Sequence, residues 1–210
     1  MRFIFKTDYN QDVKLAKHGG HVLWYSALGL LLLGAPWLMG EYWLAQLTFV
    51  LIYSIVGLGL MLLAGFTGLF SLGHAAFLGV GAYTQAVLTG MGWPFPLALF
   101  CAAGLSAAAG VIVGLPALRV KGIYLGIATL SFGFIVEEVF ARWEKVTGGN
   151  AGIHIKAPDM FRWKISSGEG FYYLCLVLTV IATLAILNLL RSSTGRAFVA
   201  IRDSEISAQS

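Results

Sequence analysis

Charge is what this sequence has least of. Only 11% of its 210 residues are Asp, Glu, Lys or Arg, and none of these occurs from Tyr42 to Leu118. A soluble domain carries about 25% charged residues. A chain with less than half that share cannot cover a water-facing exterior. Cysteine is equally scarce. Cys101 and Cys175 both lie in apolar runs, where packing is the reading rather than a disulfide, and neither has the neighbouring His of a zinc motif. Catalytic sets are missing as well: there is no Ser-His-Asp pattern and no H-E-x-x-H. No catalytic residue, metal site or cofactor is assigned, and the chain is read as not an enzyme. The basic excess is small, net +4, and lies in the chain ends and loops. Such placement orients a membrane protein; it does not point to nucleic acid.

What the chain has instead is apolar length. It is 58% hydrophobic, with a mean hydropathy of +0.80. A helix needs about 20 apolar residues to cross the hydrocarbon core. Six segments reach or approach that length: His21–Met39, Trp43–Leu63, Gly73–Thr89, Pro96–Leu115, Gly122–Phe140 and Phe171–Leu190. The first should be ended by Gly34 and Pro36. The expected fold class is all-α, a polytopic helical bundle of about six transmembrane helices in the bilayer. Basic residues precede the first run, and no small-residue cleavage site follows it, so it reads as a retained helix.

The positive-inside rule sets the expected topology. Residues 1–20, with Arg2, Lys6, Lys14 and Lys17, form a cytoplasmic tail. Residues 21–190 form the transmembrane domain, with an external loop at about 141–170. Residues 191–210 return to the cytoplasm with Arg191, Arg196 and Arg202. The external loop also holds Arg142, Lys145, Lys156, Arg162 and Lys164, which runs against the rule. Its acids Glu144, Asp159 and Glu169, and the alternation of six crossings, keep it outside.

Membrane helices associate where small residues let backbones approach. Ser71, Ala75, Gly79, Ala82 and Ala86 make one such stripe. Ala102, Ser106, Gly110 and Gly114 make a second, and Gly122 and Gly126 a G-x-x-x-G. Together they predict a compact bundle.

The polar interruptions are few. "GFTGLFSLG", Gly65–Gly73, reads as one helix ending and another starting, with Gly65 and Gly68 in left-handed backbone and Ser71 as a cap. It is either an inner-face turn or a broken helix lining a pathway, since irregular backbone at membrane depth must be covered by protein or a watery cavity. His74 is read as a hydrogen-bonded residue at a helix start, against a ligand contact, relay or gate. "VTGGNAG", Val146–Gly152, is a glycine-rich turn without the Gly-Lys-Ser/Thr ending of a phosphate loop. Glu137 and Glu138 are adjacent on a helix, so they point about 100° apart and do not form an acid–base pair. In the tail, Phe198 and Ile201 with Ala197 and Ala200 predict a short amphipathic helix. Asp203 or Ser204 then caps a second helix from Glu205. A helix, a break and a helix make a docking surface.

These stretches together resemble one family. "GLFSLGHAAFLGVGAYTQAVL", "GLPALRVKGIYLGIATLSFG", "VTGGNAGI" and "TGRAFVAIRDSEISAQS" are similar, in that order, to the second (M-type) permease subunit of branched-chain amino-acid ABC importers. The resemblance covers about residues 43–210. It implies an all-helical permease of the bacterial inner membrane. Its implied partners are a second related permease, two cytoplasmic ATPase subunits that hold the ATP, and a periplasmic binding protein. It implies that Gly195, Arg196, Ala197, Phe198, Ala200, Ile201, Arg202, Asp203 and Glu205 form the ATPase-docking loop. Ser71, Gly73, His74, Gly79 and Gly81 fall on the helix break or substrate pathway. Thr147, Gly148 and Gly149 fall on the external loop. Many members have Phe-Gly-Glu where this chain has Phe132-Gly133-Phe134, which leaves the solute open among branched-chain amino acids, amides and urea. The family continues with further helices beyond Ser210, so a C-terminal truncation is expected. The rival class, a self-contained secondary transporter or channel, would want an ion-coupling acid in the membrane, and the stretch from Tyr42 to Leu118 has none.

Overall fold

The computed structural model describes residues 19–117, 120, 122–155, 159–160, 163–164 and 168–203, with the backbone alone at 19–22, 159–160 and 163–164. Helix α1 spans Gly19–Leu38 and α2 spans Glu41–Met61. A π-helical turn, Leu62–Phe66, carries α2 on into the predicted break. Helices α3 (His74–Gly90), α4 (Phe95–Ala117) and α5 (Ile123–Arg142) follow. A short α6 (Glu144–Thr147) and a 3-10 turn (Gly149–Ala151) open the long loop. Asp159–Met160 and Trp163–Lys164 form a two-residue antiparallel ladder there. Helix α7 (Gly168–Arg191) and helix α8 (Ser193–Asp203) complete the described chain.

Every predicted apolar segment is helical. Four described helices are long and apolar enough to cross a membrane: Glu41–Phe66, Phe95–Ala117, Ile123–Arg142 and Gly168–Arg191. The apolar stretch Leu23–Leu38 and the 17-residue α3 are shorter. Large apolar side chains such as Trp24, Trp37, Phe100, Ile112 and Ile123 stand exposed on the helices. In water these would form an untenable patch; in a bilayer they face lipid. The class is therefore a polytopic helical membrane protein.

The helices pack in two groups. Helices α1, α2 and α7 enclose a core of Ala35, Leu44, Leu51, Tyr172, Cys175 and Leu176. Pro36 does not end α1, which continues to Leu38. Proline has no N–H, so the carbonyl of Leu32, four residues earlier, loses its helical donor. The Tyr172 hydroxyl on α7 donates to that carbonyl at 2.7 Å, and Tyr173 donates to the next one, Leu33, at 3.0 Å. Cys175 is buried and Cys101 half-buried, and both are free thiols.

Helices α3, α4 and α5 form the second group. The α4 stripe packs at three of its four positions: Ala102 is buried, Ser106 Oγ donates to the Phe77 carbonyl at 2.8 Å, and Gly110 faces the Phe77 ring, whereas a Cβ at Gly114 would meet nothing within 4 Å. The α3 stripe does so only in part. Ala86 is buried, but Ala75 and Ala82 are exposed. Gly122 is not on a helix at all. It precedes α5 with φ +64°, a conformation that favours glycine, so Gly126 alone of the G-x-x-x-G makes a close contact, against Phe70 and Leu72.

Candidate functional site

The break after α2 is where distant parts of the chain converge. A π turn widens the helix by one residue and leaves its last carbonyls without regular donors. Leu63 O accepts from Leu69 N at 3.2 Å and from Thr67 Oγ1 at 2.6 Å. Gly68 takes φ +71°, as predicted, while Gly65 does not; it lies within the π turn. Ser71 does not cap α3. The N-cap residue is Gly73, without a side-chain cap, because the backbone here lies directly against α5.

That contact is close. A Cβ at Gly73 would sit 1.9 Å from the Thr129 carbonyl oxygen, and Gly133, one turn on, lies against the Gly73 Cα. Thr129 Oγ1 accepts from Leu72 N at 3.0 Å and donates to Gly126 O at 2.9 Å. Thr129 thus satisfies an N–H that the break leaves orphaned.

His74 opens α3, as predicted, with no hydrogen bond to its Nδ1, which is buried without a partner among the described residues. The ring stacks edge-on to Phe77 at 6.0 Å and faces Gly59 of α2, whose lack of a Cβ makes room for it. With Ser71, Phe77, Gly110 and Leu125 it lines an apolar cavity of about 280 Å³ behind the break. A larger groove of about 580 Å³ runs between α3 and α5. Ala75, Gly79, Tyr83, Phe134, Glu137 and Phe140 line it, and Gly149 and Asn150 close one end. Gly79 belongs to this groove because the Phe140 ring occupies the space its side chain would take. Glu138 points elsewhere and pairs with Arg142.

Loop residues Thr147, Gly148 and Gly149 build a tight reversal. Thr147 is buried; its Oγ1 lies 2.6 Å from Phe140 O and 2.9 Å from Trp143 O and accepts from Gly149 N at 3.2 Å. Gly148 and Gly149 take φ +72° and +58°. A Cβ at Gly148 would lie 2.4 Å from Gly152 O. This is a structural turn, at the opposite end of α5 from the break.

The tail forms the predicted helix, α8. Gly195 is buried, and a Cβ there would lie 2.3 Å from Leu190 O, so glycine lets α8 fold tightly against the end of α7. Arg196 reaches Arg191 O at 3.4 Å. Phe198 is half-buried; Ala197, Ala200, Ile201 and Asp203 are exposed. Arg202 stays exposed but reaches back along the surface to the break. Its Nη1 donates to Gly65 O at 2.9 Å, while Nε and Nη2 both donate to Asp203 Oδ1 at 3.0 Å. Asp203 closes α8 and orients Arg202, and the second helix predicted from Glu205 lies outside the described residues. The sequence reading missed Thr129, Gly133, Phe140 and the Gly65 carbonyl. Thr129 and Gly133 stand four apart on one helix face, the one local trace they leave.

A helical membrane protein with a break bonded to a neighbouring helix and an appended amphipathic helix is the class these features define. A profile of the family described as "Branched-chain amino acid transport system / permease component" matches residues 42–210. The chain belongs to this family. It is 37% identical over 216 residues to the high-affinity branched-chain amino acid transport system permease protein LivM of Salmonella typhimurium, covering 90% of this chain and 50% of that protein. It is 36% identical over 215 residues to LivM of Escherichia coli K12, with the same two coverages. The chain therefore spans about half the length of the curated relatives it matches. No solved structure matches it significantly.

Proposed function

We propose that the whole protein is the permease subunit of an ATP-driven importer, moving branched-chain amino acids or related small solutes such as amides or urea across the bacterial inner membrane. In this reading ATP is bound and hydrolysed on two cytoplasmic partner subunits. A second, related permease completes the path, and a periplasmic binding protein delivers the solute. The N-terminus and α8 face the cytoplasm. Nine of the fourteen basic residues belong to the predicted cytoplasmic segments, namely Arg2, Lys6, Lys14, Lys17, Arg119, Lys121, Arg191, Arg196 and Arg202. Glu137, Phe140 and the small α3 face line a groove on the candidate pathway.

The observation that carries this reading, beside family membership, is α8. An exposed amphipathic helix follows a spanning helix and is bonded to the break of another. That is what a subunit needs if a partner's motion is to reach its interior. The test is uptake of labelled leucine, valine, acetamide and urea by cells carrying the whole protein with its encoded partners, before and after loss of the ATPase genes. ATPase-dependent uptake of one of these solutes is expected. Uptake that survives loss of the ATPases would favour a self-contained transporter instead.

A further inference from the structure

We infer that Arg202 is a transmission residue: it fastens α8 to the π turn of α2, so that the two move as one body. This rests on the function proposed above. Two independent observations support it. The first is the hydrogen bonding. Arg202 Nη1 donates to the Gly65 carbonyl at 2.9 Å, and the Asp203 carboxylate holds the guanidinium by two further bonds of 3.0 Å. A charged donor on a carbonyl is stronger than a neutral one. A planar guanidinium engaged on both sides has its orientation fixed, which the point charge of a lysine would not achieve.

The second is the fit of the Arg202 stem. Gly68, with φ +71°, lies under it, and a Cβ built there would come within 3.0 Å of the Arg202 Cγ. Glycine at 68 therefore serves the turn and the contact at once. The target carbonyl matters too. It lies in the π turn that leads into the break, a distortion frequent at functional sites. From that turn the chain runs through the break to Gly73, which lies against α5, and to His74 at the start of α3. A push on α8 carried through this bond reaches the α3–α5 face by that route.

The test uses the whole protein with its partners in lipid nanodiscs. Arg202→Gln should reduce the stimulation by solute-loaded binding protein at least fivefold, and by a larger factor than it reduces co-purification of the ATPase. Arg202→Lys should recover part of the stimulation. An equal loss of co-purification would mean that Arg202 acts only as a docking contact, and full stimulation in Arg202→Gln would mean the bond transmits nothing; either overturns the inference. A covalent replacement gives the sharper result. The ideal Gly68 Cβ lies 3.8 Å from the Arg202 Cβ, the usual separation in a disulfide. In a background lacking Cys101 and Cys175, the pair Gly68→Cys with Arg202→Cys should be unstimulated when reduced and stimulated when oxidised, with Gly68→Cys alone, which keeps Arg202, as the control for the strain of a side chain at φ +71°. A verified disulfide that fails to restore stimulation would refute a rigid link. A wild-type complex with no stimulation would instead refute the transport reading, which keeps the two failures apart.

Discussion

The bond between Tyr172 and Leu32 gives a prediction whose magnitude can be worked out. Pro36 cannot donate to Leu32 O, and the Tyr172 hydroxyl takes the place of the missing N–H at 2.7 Å. Tyr172 is fully buried. Tyr172→Phe removes the donor and leaves a buried carbonyl unpaired, at ~1–3 kcal/mol. Side-chain bonds between membrane helices measure at the low end of that range, ~0.6–2 kcal/mol. We take ~1.5 kcal/mol for separating α1 from α7. Cys175, one turn along α7 and buried in the same core, reports the opening directly. In a Cys101→Ser background, the rate of Cys175 alkylation should rise about tenfold, since ~1.4 kcal/mol is a factor of ten. Pro36→Ala returns an N–H to Leu32 O. In that second background Tyr172→Phe should accelerate alkylation by less than about threefold. Equal acceleration in both backgrounds would refute the idea that the hydroxyl stands in for the proline's missing donor.

Two further outcomes follow from close backbone approach and from the loop. Gly73→Ala places a methyl 1.9 Å from Thr129 O and should destabilise by at least the ~1–3 kcal/mol of an overpacked core, read as a lower melting temperature in detergent. Gly133→Ala should be milder, because its methyl meets the Gly73 Cα at an ordinary 3.5 Å; equal losses would mean the Gly73 contact is not tight. Thr147→Val deprives Gly149 N of its acceptor inside a buried turn. About 1 kcal/mol of local stability should go, seen as roughly fivefold faster limited proteolysis between residues 141 and 170, with Thr147→Ser near wild type.

How much of this could be read from the sequence depends on the range of each cause. The apolar segments follow from composition and length, and each is a helix. The break at Gly65–Gly73 is legible because glycine runs mark positive φ, and Gly68 has it. The α8 helix is legible from the spacing of Phe198 and Ile201. The errors came from applying local rules where a distant partner decides. Ser71 suits an N-cap by type, yet α3 begins only at His74 after Gly73, because the chain between them is held against α5, where Thr129, 57 residues away, binds Leu72 N. His74 was expected to be hydrogen-bonded, yet its Nδ1 has no partner among the described residues, and its ring packs against Gly59 and Phe77. Arg202 reads as a docking-loop residue, and its local partner Asp203 gives no hint of the second acceptor, Gly65 O, 137 residues away.

The sequence does announce vacancies. Pro36 declares that Leu32 O has lost its donor, and a glycine-rich break declares that several backbone groups need partners. What fills two of them lies far off: Tyr172 140 residues from Leu32, and Arg202 137 residues from Gly65. Leu63 O is filled from within the break, by Leu69 N and Thr67 Oγ1, but Leu32 O and Gly65 O recruit donors from other helices, and those donors fix which helices touch. The two interruptions that weaken the pattern locally, the proline of α1 and the π turn of α2, thereby become the points at which α7 and α8 are fastened to the rest of the bundle.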